Sequence, residues 1–263
     1  MLRSITAAAS AALLLAAAAG CGDVDDGGDA SGKAATAGRG GTLTVFAAAS
    51  LTETFGALGK AFEASHPGVR VRFAFGGSST LARQITQGAP ADVFAAASPA
   101  TMKTVTDAGD AAGMPRVFTR NRLVIAVPGN DPGRVRGLGD LARPGLKVVL
   151  CAVQVPCGAA AEKALGAAGV EVKPVSREQD VKAVLTKVSL DEADAGLVYR
   201  TDAKAAAGKV KGIEFPESAR AVNDYPIVEV AKAPRSALAK EFIGLVLGPR
   251  GRDALTRAGF EAP

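Results

Sequence analysis

Short apolar strands and amphipathic helices alternate along this chain from Gly41 to its C-terminal region. Residues 42–46 form an apolar run of strand length, and apolar residues then recur at helical spacing from Leu51 to Phe62. The same alternation continues to a closing helical region that ends near Phe260. This strand–helix–strand order predicts an α/β fold in which parallel sheets are covered by helices on both faces.

The bulk composition fits a folded protein and gives no sign of a nucleic-acid partner. The chain has 263 residues, enough for one large domain or two lobes, and 48% of them are hydrophobic and 22% charged. Its net charge of +5 is mild, and its lysines and arginines form no run or stripe that could follow a phosphate backbone. We therefore expect no nucleic-acid partner.

The N-terminal residues have the pattern of an export signal. Arg3 precedes a long apolar run, and residues 18–21 (AAGC) are similar to a lipobox. Residues 1–20 are therefore predicted to be a lipoprotein signal peptide, and Cys21 is predicted to be acylated after cleavage. An ordinary signal peptide with a chance cysteine is the alternative.

Residues 21–40 differ in composition from the rest of the chain. They are rich in Gly, Ala and Asp and show no apolar periodicity, which predicts a flexible tether after the lipidated Cys21. A lipid anchor followed by a tether predicts an extracytoplasmic protein, lipid-anchored to the outer face of the cell membrane.

This location bears on the other cysteines. The chain has three, and acylation of Cys21 leaves Cys151 and Cys157. Two cysteines outside the cell and close in sequence predict a disulfide. A pair of buried free thiols is the alternative.

Two serines stand where an apolar strand gives way to a helix: Ser50 in VFAAASL and Ser78 in GGSSTLARQ. Each hydroxyl would lie beside the unpaired N–H groups of a first helical turn, so together they could form a cup for an anion without any lysine or arginine. The simpler interpretation is helix capping, because Ser50 and Glu53 have capping-box spacing and Ser78 or Ser79 could cap the next helix. The two interpretations are compatible, since a capping serine already lies at the positive end of its helix.

Three later junctions could complete such a cup. One helix start follows residues 155–158 (VPCG), and another begins near Val181. Residues 196–199 (GLVY) end a strand with Tyr199, whose hydroxyl can donate a hydrogen bond to an oxyanion.

Five motifs in this order resemble the substrate-binding proteins of molybdate ABC transporters. They are VFAAASL, SSTLARQ, GAPADVF (residues 88–94), VPCG and GLVY. The similarity runs from about Thr42 to Phe260. It implies a type II periplasmic-binding-protein-like fold, with two hinge-linked α/β lobes and a ligand cleft between them. By this resemblance lobe I holds residues 41–121 plus 227–263, and lobe II holds residues 122–226.

The ligand-binding positions of that family fall on five residues of this chain, namely Ser50, Ser78, Cys157, Val181 and Tyr199. The resemblance implies that the two serines donate their hydroxyl and N–H groups, that Cys157 and Val181 donate backbone N–H groups, and that Tyr199 donates its phenol O–H. Cys157 replaces the usual alanine of the family, and a disulfide at this position would stiffen the loop that presents its N–H group.

The resemblance implies a monomeric, non-catalytic protein that captures molybdate, and tungstate with it, and delivers the ion to a membrane permease. We expect no cofactor and no metal-ligating residue, because the only metal is that of the bound oxyanion itself. A binder of sulfate or another tetrahedral oxyanion is the nearest alternative. A structural or interaction module is a more distant one.

An extracellular serine hydrolase that uses Ser50 or Ser78 as its nucleophile is the remaining alternative. The sequence disfavours it, because the only histidine, His66, lies in a turn sequence where we expect an exposed side chain. The chain also has no G-x-S-x-G elbow.

Overall fold

The structure, a computed structural model, describes residues 40–263. The predicted signal peptide, the lipidation site at Cys21 and the tether up to residue 39 lie outside the described residues. Within residues 40–263, no helix combines the length and the apolar character that crossing a membrane requires.

The strands and helices follow the alternation that the sequence predicts. The strands of the described part are β1 (Gly41–Ala48), β2 (Val69–Gly76), β3 (Val93–Ala95), β4 (Arg116–Asn121), β5 (Leu123–Pro128), β6 (Val148–Cys151), β7 (Ser176–Glu178), β8 (Ala195–Tyr199), β9 (Val210–Ile213) and β10 (Asn223–Glu229). The α-helices are α1 (Thr52–Ser65), α2 (Ser78–Thr86), α3 (Pro99–Asp107), α4 (Pro156–Ala168), α5 (Val181–Ser189), α6 (Arg200–Ala205), α7 (Ser236–Leu247) and α8 (Pro249–Ala258). Short 3-10 helices cover Ala49–Leu51, Leu138–Ala142 and Pro216–Arg220.

The strands form two five-stranded sheets, one in the order β2-β1-β3-β10-β4 and the other in the order β7-β6-β8-β5-β9. We call the first sheet with α1, α2, α3, α7 and α8 lobe I, and the second sheet with α4, α5 and α6 lobe II. Both lobes belong to one compact unit of the chain. The predicted two-lobed α/β architecture is confirmed.

The strands of each sheet run mainly in one direction, as the expectation of parallel sheets requires, but each sheet contains one reversed strand. β10 runs antiparallel to β3 and β4, and β5 runs antiparallel to β8 and β9. Both reversed strands are the first strand after the chain crosses from the other lobe. β5 and β10 therefore begin near the other lobe. The strands that come before the cavity residues, β1, β2, β6, β7 and β8, instead end near the other lobe.

The crossings lie at Arg122, between β4 and β5, and in the segment between β9 and β10. The lobe limits inferred from the resemblance, 41–121 plus 227–263 and 122–226, remain a prediction. Residues Asn223–Pro226 of β10 pair with β4 in the first sheet.

The two lobes have cores of different composition. In lobe I, Phe242 packs edge to face against two other phenylalanines. Its ring centroid lies 5.9 Å from that of Phe55 and 5.5 Å from that of Phe62. The core of lobe II contains mainly Val, Leu and Ala side chains from its strands and from α4 and α5. These packed layers hold the carboxyl ends of β1, β2, β6, β7 and β8 in place, and the candidate site lies at those ends.

Candidate ligand-binding site

One cavity has all five sequence-predicted binding residues on its wall. Ser50 and Ser78 come from lobe I, and Cys157, Val181 and Tyr199 come from lobe II. The cavity has about 220 Å³ of empty space, counting the part open to solvent. A space this small suits one compact group rather than an extended ligand.

Ser50 lies in the 3-10 turn Ala49–Leu51, directly after β1, and is 3% exposed. The predicted capping box is wrong, because α1 begins two residues later and has no side-chain cap. The Ser50 hydroxyl instead lies 2.8 Å from the hydroxyl of Tyr225 on β10. Ser50 is therefore held by a partner 175 positions away in the sequence rather than by its own helix.

Ser78 is the first residue of α2, and its hydroxyl also fails to cap the helix. Its Oγ accepts the N–H of Ala97 at 3.0 Å. No hydrogen bond among the described residues uses the Ser78 hydroxyl proton as donor, so this proton is available to a ligand. Ser79, the other capping candidate, donates to the carbonyl of Gln154 in lobe II at 2.8 Å.

Cys157 and Val181 contribute through the backbone at the first turns of α4 and α5. Both residues are buried, at 4% and 3% exposure. Among the described residues, no hydrogen bond uses the backbone N–H of Cys157, Val181 or Ser78. Unpaired N–H groups at helix starts carry partial positive charge, and three such groups on one cavity favour an anion.

A disulfide joins Cys151, the last residue of β6, to Cys157 in the first turn of α4. Their Cα atoms lie 5.7 Å apart. The close approach continues at Gly158, where an added Cβ would lie 1.9 Å from the carbonyl oxygen of Ala152. The strand end and the helix start are thus tied together where Cys157 lines the cavity.

Tyr199 ends β8 and is 1% exposed. Its hydroxyl makes no hydrogen bond of good geometry with any described residue, although the Tyr225 phenol lies close by. Burial raises the pKa of Tyr199 well above its usual value, and the neighbouring Tyr225 raises it further. Tyr199 is therefore a neutral O–H donor at physiological pH, and this buried donor still lacks an acceptor.

The described part of the cavity wall includes no lysine, arginine or histidine. Asp180 is its one carboxylate, and Asp180 caps α5 by accepting the N–H of Ala183 at 3.0 Å. The positive potential of the cavity therefore comes from helix N-termini and hydroxyl protons rather than from charged side chains.

A model of the bacterial extracellular solute-binding protein family matches residues 43–261. Molybdate-binding protein ModA of Mycobacterium tuberculosis is 47% identical over 222 residues, which cover 84% of this chain and 85% of that protein. The chain belongs to the bacterial extracellular solute-binding proteins, in the molybdate-binding protein family. The resemblance inferred from the motifs is confirmed.

Solved structures show the same fold. The periplasmic molybdate-binding protein of Azotobacter vinelandii matches with a TM-score of 0.74 at 23% identity, over 84% of this chain and 99% of that chain. The sulfate-binding protein SubI of M. tuberculosis matches with a TM-score of 0.72 at 19% identity, over 84% of this chain and 86% of that chain. The periplasmic-binding-protein-like fold is thus confirmed, and fold alone does not separate molybdate from sulfate.

The structure gives no support to a serine hydrolase. His66 follows the last residue of α1, whereas Ser50 precedes its first, and the 14 residues of this helix span about 20 Å. The imidazole stacks on Phe62 and lies 2.7 Å from a carboxylate oxygen of Glu241, with a side chain only 21% exposed. His66, which we expected to be an exposed turn residue, therefore packs on Phe62 and pairs with Glu241, far from either serine.

Among the described residues, no cluster of His, Cys, Asp or Glu could hold a metal ion.

Tyr225, for which the sequence predicts no role in the site, is fully buried beside both Ser50 and Tyr199. Within β10 it has the pattern of an ordinary core aromatic. Burial raises the pKa of Tyr225, and the Asn121 amide, which donates to the Thr201 hydroxyl at 2.9 Å, opposes that shift. If Asn121 also donates to the phenol oxygen of Tyr225, Tyr225 can donate its own proton to Ser50, and the Ser50 proton remains available to a ligand. An aromatic side chain with a polar tip in a predicted strand is the only signal that the sequence offers for this role.

Proposed function

We propose that this protein captures molybdate, and tungstate as a second ligand, and delivers the ion to the permease of an ABC transporter. The observation that carries the proposal is the cavity itself. It is small, its wall consists mainly of buried residues, and it gathers backbone N–H groups from three helix starts with hydroxyl protons that have no acceptor. Such a set of neutral donors fits a compact anion that is fully ionised.

The proposed ligand contacts follow from these unpaired donors. Ser50 and Ser78 would donate their hydroxyls and N–H groups, Cys157 and Val181 their N–H groups, and Tyr199 its phenol O–H. A tetrahedral oxyanion offers four oxygens, each able to accept more than one of these bonds, in a space of the right scale. Molybdate and tungstate are dianions at neutral pH, so they bring no proton that would need an acceptor.

Sulfate is the second candidate, because it is also a fully ionised tetrahedral dianion. It is smaller than molybdate, so discrimination must come from the distances between donors on the two lobes. The relative that is 47% identical over most of both chains is named for molybdate, which favours molybdate.

We also propose that the protein acts as a monomer outside the cytoplasm, held at the membrane by a lipid on Cys21. The lipobox-like residues 18–21 and the Gly-rich segment after them support this part of the proposal.

Isothermal titration calorimetry of the purified protein with molybdate, tungstate, sulfate and phosphate tests the function. We expect molybdate and tungstate to bind at least about 100-fold more tightly than sulfate, a difference of about 2.7 kcal/mol. If sulfate bound as tightly as molybdate, the protein would not discriminate between the two ions, and its assignment to molybdate would be wrong. No heat with any of the four ions would overturn the proposal.

A further inference from the structure

One ammonium group joins the two lobes beside the cavity. Nζ of Lys182 lies 2.8 Å and 2.9 Å from the two carboxylate oxygens of Glu53 and 3.1 Å from Oδ1 of Asp202. Glu53 belongs to α1 of lobe I, whereas Lys182 and Asp202 belong to α5 and α6 of lobe II. We call these three residues the closure triad.

The closure triad adjoins the proposed ligand contacts without lining the cavity. Its members lie one to three residues after Ser50, Val181 and Tyr199 in the sequence. Asp202 also accepts the backbone N–H of Tyr199 through Oδ2, at 3.3 Å. A shift of the triad would therefore move donors on both sides of the cavity.

Only one contact of the triad depends on how the lobes are arranged. Asp202 is fully buried, and its partner Lys182, 23% exposed, is on the same lobe. Glu53 is 54% exposed and comes from the other lobe. Burial opposes the charge of Lys182, but the two carboxylates outweigh it and raise the pKa of Lys182, so the side chain stays an ammonium. The pair between Lys182 and Glu53 can form only when the lobes are together.

We propose that Lys182 is a positioning residue for anion binding, whose pairing with Glu53 stabilises the arrangement in which both lobes present their donors to one ion. This inference rests on the proposed function. Lys182 acts through Glu53, Val181 and Tyr199 rather than by contact with the ligand. Its pairing slows the separation of the lobes, so its main effect is on ligand dissociation.

Electrostatics and closure predict opposite effects for the same substitution. With both carboxylates ionised the closure triad carries a net charge of −1, which repels a bound dianion. Removal of the Glu53 charge by Glu53→Gln would strengthen binding if direct electrostatics dominated. Glu53→Gln weakens binding if the pair with Lys182 holds the lobes together. The sign of the change therefore separates the two mechanisms.

The test is molybdate affinity and dissociation rate, by calorimetry and stopped-flow tyrosine fluorescence, for the wild type and for Glu53→Gln. We expect affinity to fall roughly three- to tenfold, mainly through faster dissociation, with the ligand-free melting temperature nearly unchanged. Lys182→Met should lower affinity at least as much, and because it leaves Asp202 unpaired it should also lower the melting temperature.

Asp107→Asn is the matched control. Asp107 forms a comparable pair with Lys103 at 2.7 Å, but both residues lie on α3 within lobe I. This variant should bind molybdate like the wild type. Equal or tighter binding by Glu53→Gln would overturn the role of the closure triad while leaving the proposed function intact. A wild type that binds none of the oxyanions would overturn both.

Discussion

At the scale of single residues, hydroxyl protons without acceptors mark the cavity. Ser78 accepts from Ala97 and donates to no described residue, and the Tyr199 hydroxyl has no hydrogen bond of good geometry among the described residues. A buried donor without a partner is costly in the ligand-free protein and becomes favourable when an anion supplies the acceptor. A substitution that removes the Tyr199 hydroxyl should therefore have opposite effects on ligand affinity and on the stability of the ligand-free protein.

Tyr199→Phe should lower molybdate affinity without destabilising the protein. Loss of a hydrogen bond to a charged ligand is worth about 1.5–3 kcal/mol, or roughly ten- to a hundredfold in affinity. Removal of an unpaired buried hydroxyl should leave the ligand-free melting temperature unchanged or slightly higher. Calorimetry and thermal unfolding of the same sample check both expectations, and unchanged affinity would remove Tyr199 from the site.

At the scale of secondary-structure elements, the starts of α2, α4 and α5 meet at one point because their strands end there. This meeting leaves little room between the lobes. Gly77, the residue before α2, would place an added Cβ 2.2 Å from the carbonyl oxygen of Gln179 in lobe II. The adjacent Gly76 would place its Cβ no closer than 3.9 Å, from a methyl group of Leu81. The glycine at position 77 is thus required by the approach of the lobes.

Gly77→Ala should weaken ligand binding more than it weakens the fold. The clash is with backbone of the other lobe, so it opposes closure at a cost of about 1–3 kcal/mol, or roughly 5- to 150-fold in affinity. Gly76→Ala, whose new methyl group makes only an ordinary contact, is the matched control and should bind nearly as the wild type does. Equal affinities for the two variants, measured by calorimetry, would show that the lobes need not approach this closely.

At the scale of the whole molecule, the fold buries a carboxylate beside the cavity. Asp202 has no exposed surface, and burial raises its pKa from 3.8 to about 6, against the opposing effect of Lys182. A carboxyl group whose pKa is higher in the folded state than in the unfolded state stabilises the fold in its protonated form. This contribution is complete below pH 3.8 and is lost as the pH rises through about 6.

Wild type and Asp202→Asn should therefore differ in the pH dependence of unfolding. We expect the wild type to gain stability relative to the variant as the pH falls from 7.5 to 5, by about 1.4 kcal/mol. The comparison is needed because carboxylates with lowered pKa values, such as Glu178 and Glu214, lose stabilising interactions in acid in both proteins. Denaturant unfolding at several pH values measures the difference. Parallel curves would contradict titration of Asp202 in this range.

The alternation of strands and helices, the family and the five residues that meet at the cavity can all be recognised in the amino-acid sequence. Hydrophobic periodicity is a property of neighbouring residues, and so is the presence of unpaired N–H groups at a helix start. Both can therefore be recognised within a few positions of the chain. The role of the five residues in binding the ion is still a prediction.

The side-chain partners of those residues depend on how the chain packs in three dimensions. Ser50 and Ser78 fit the pattern of helix caps, yet their hydroxyls pair with Tyr225 and Ala97, which are distant in sequence. Glu53 has the spacing of a capping box, yet it pairs with Lys182, 129 positions away. A side chain near a helix start can satisfy either its own helix or the opposite lobe, and packing of the lobes decides which. No local pattern contains that information, because it depends on which surfaces face each other after folding.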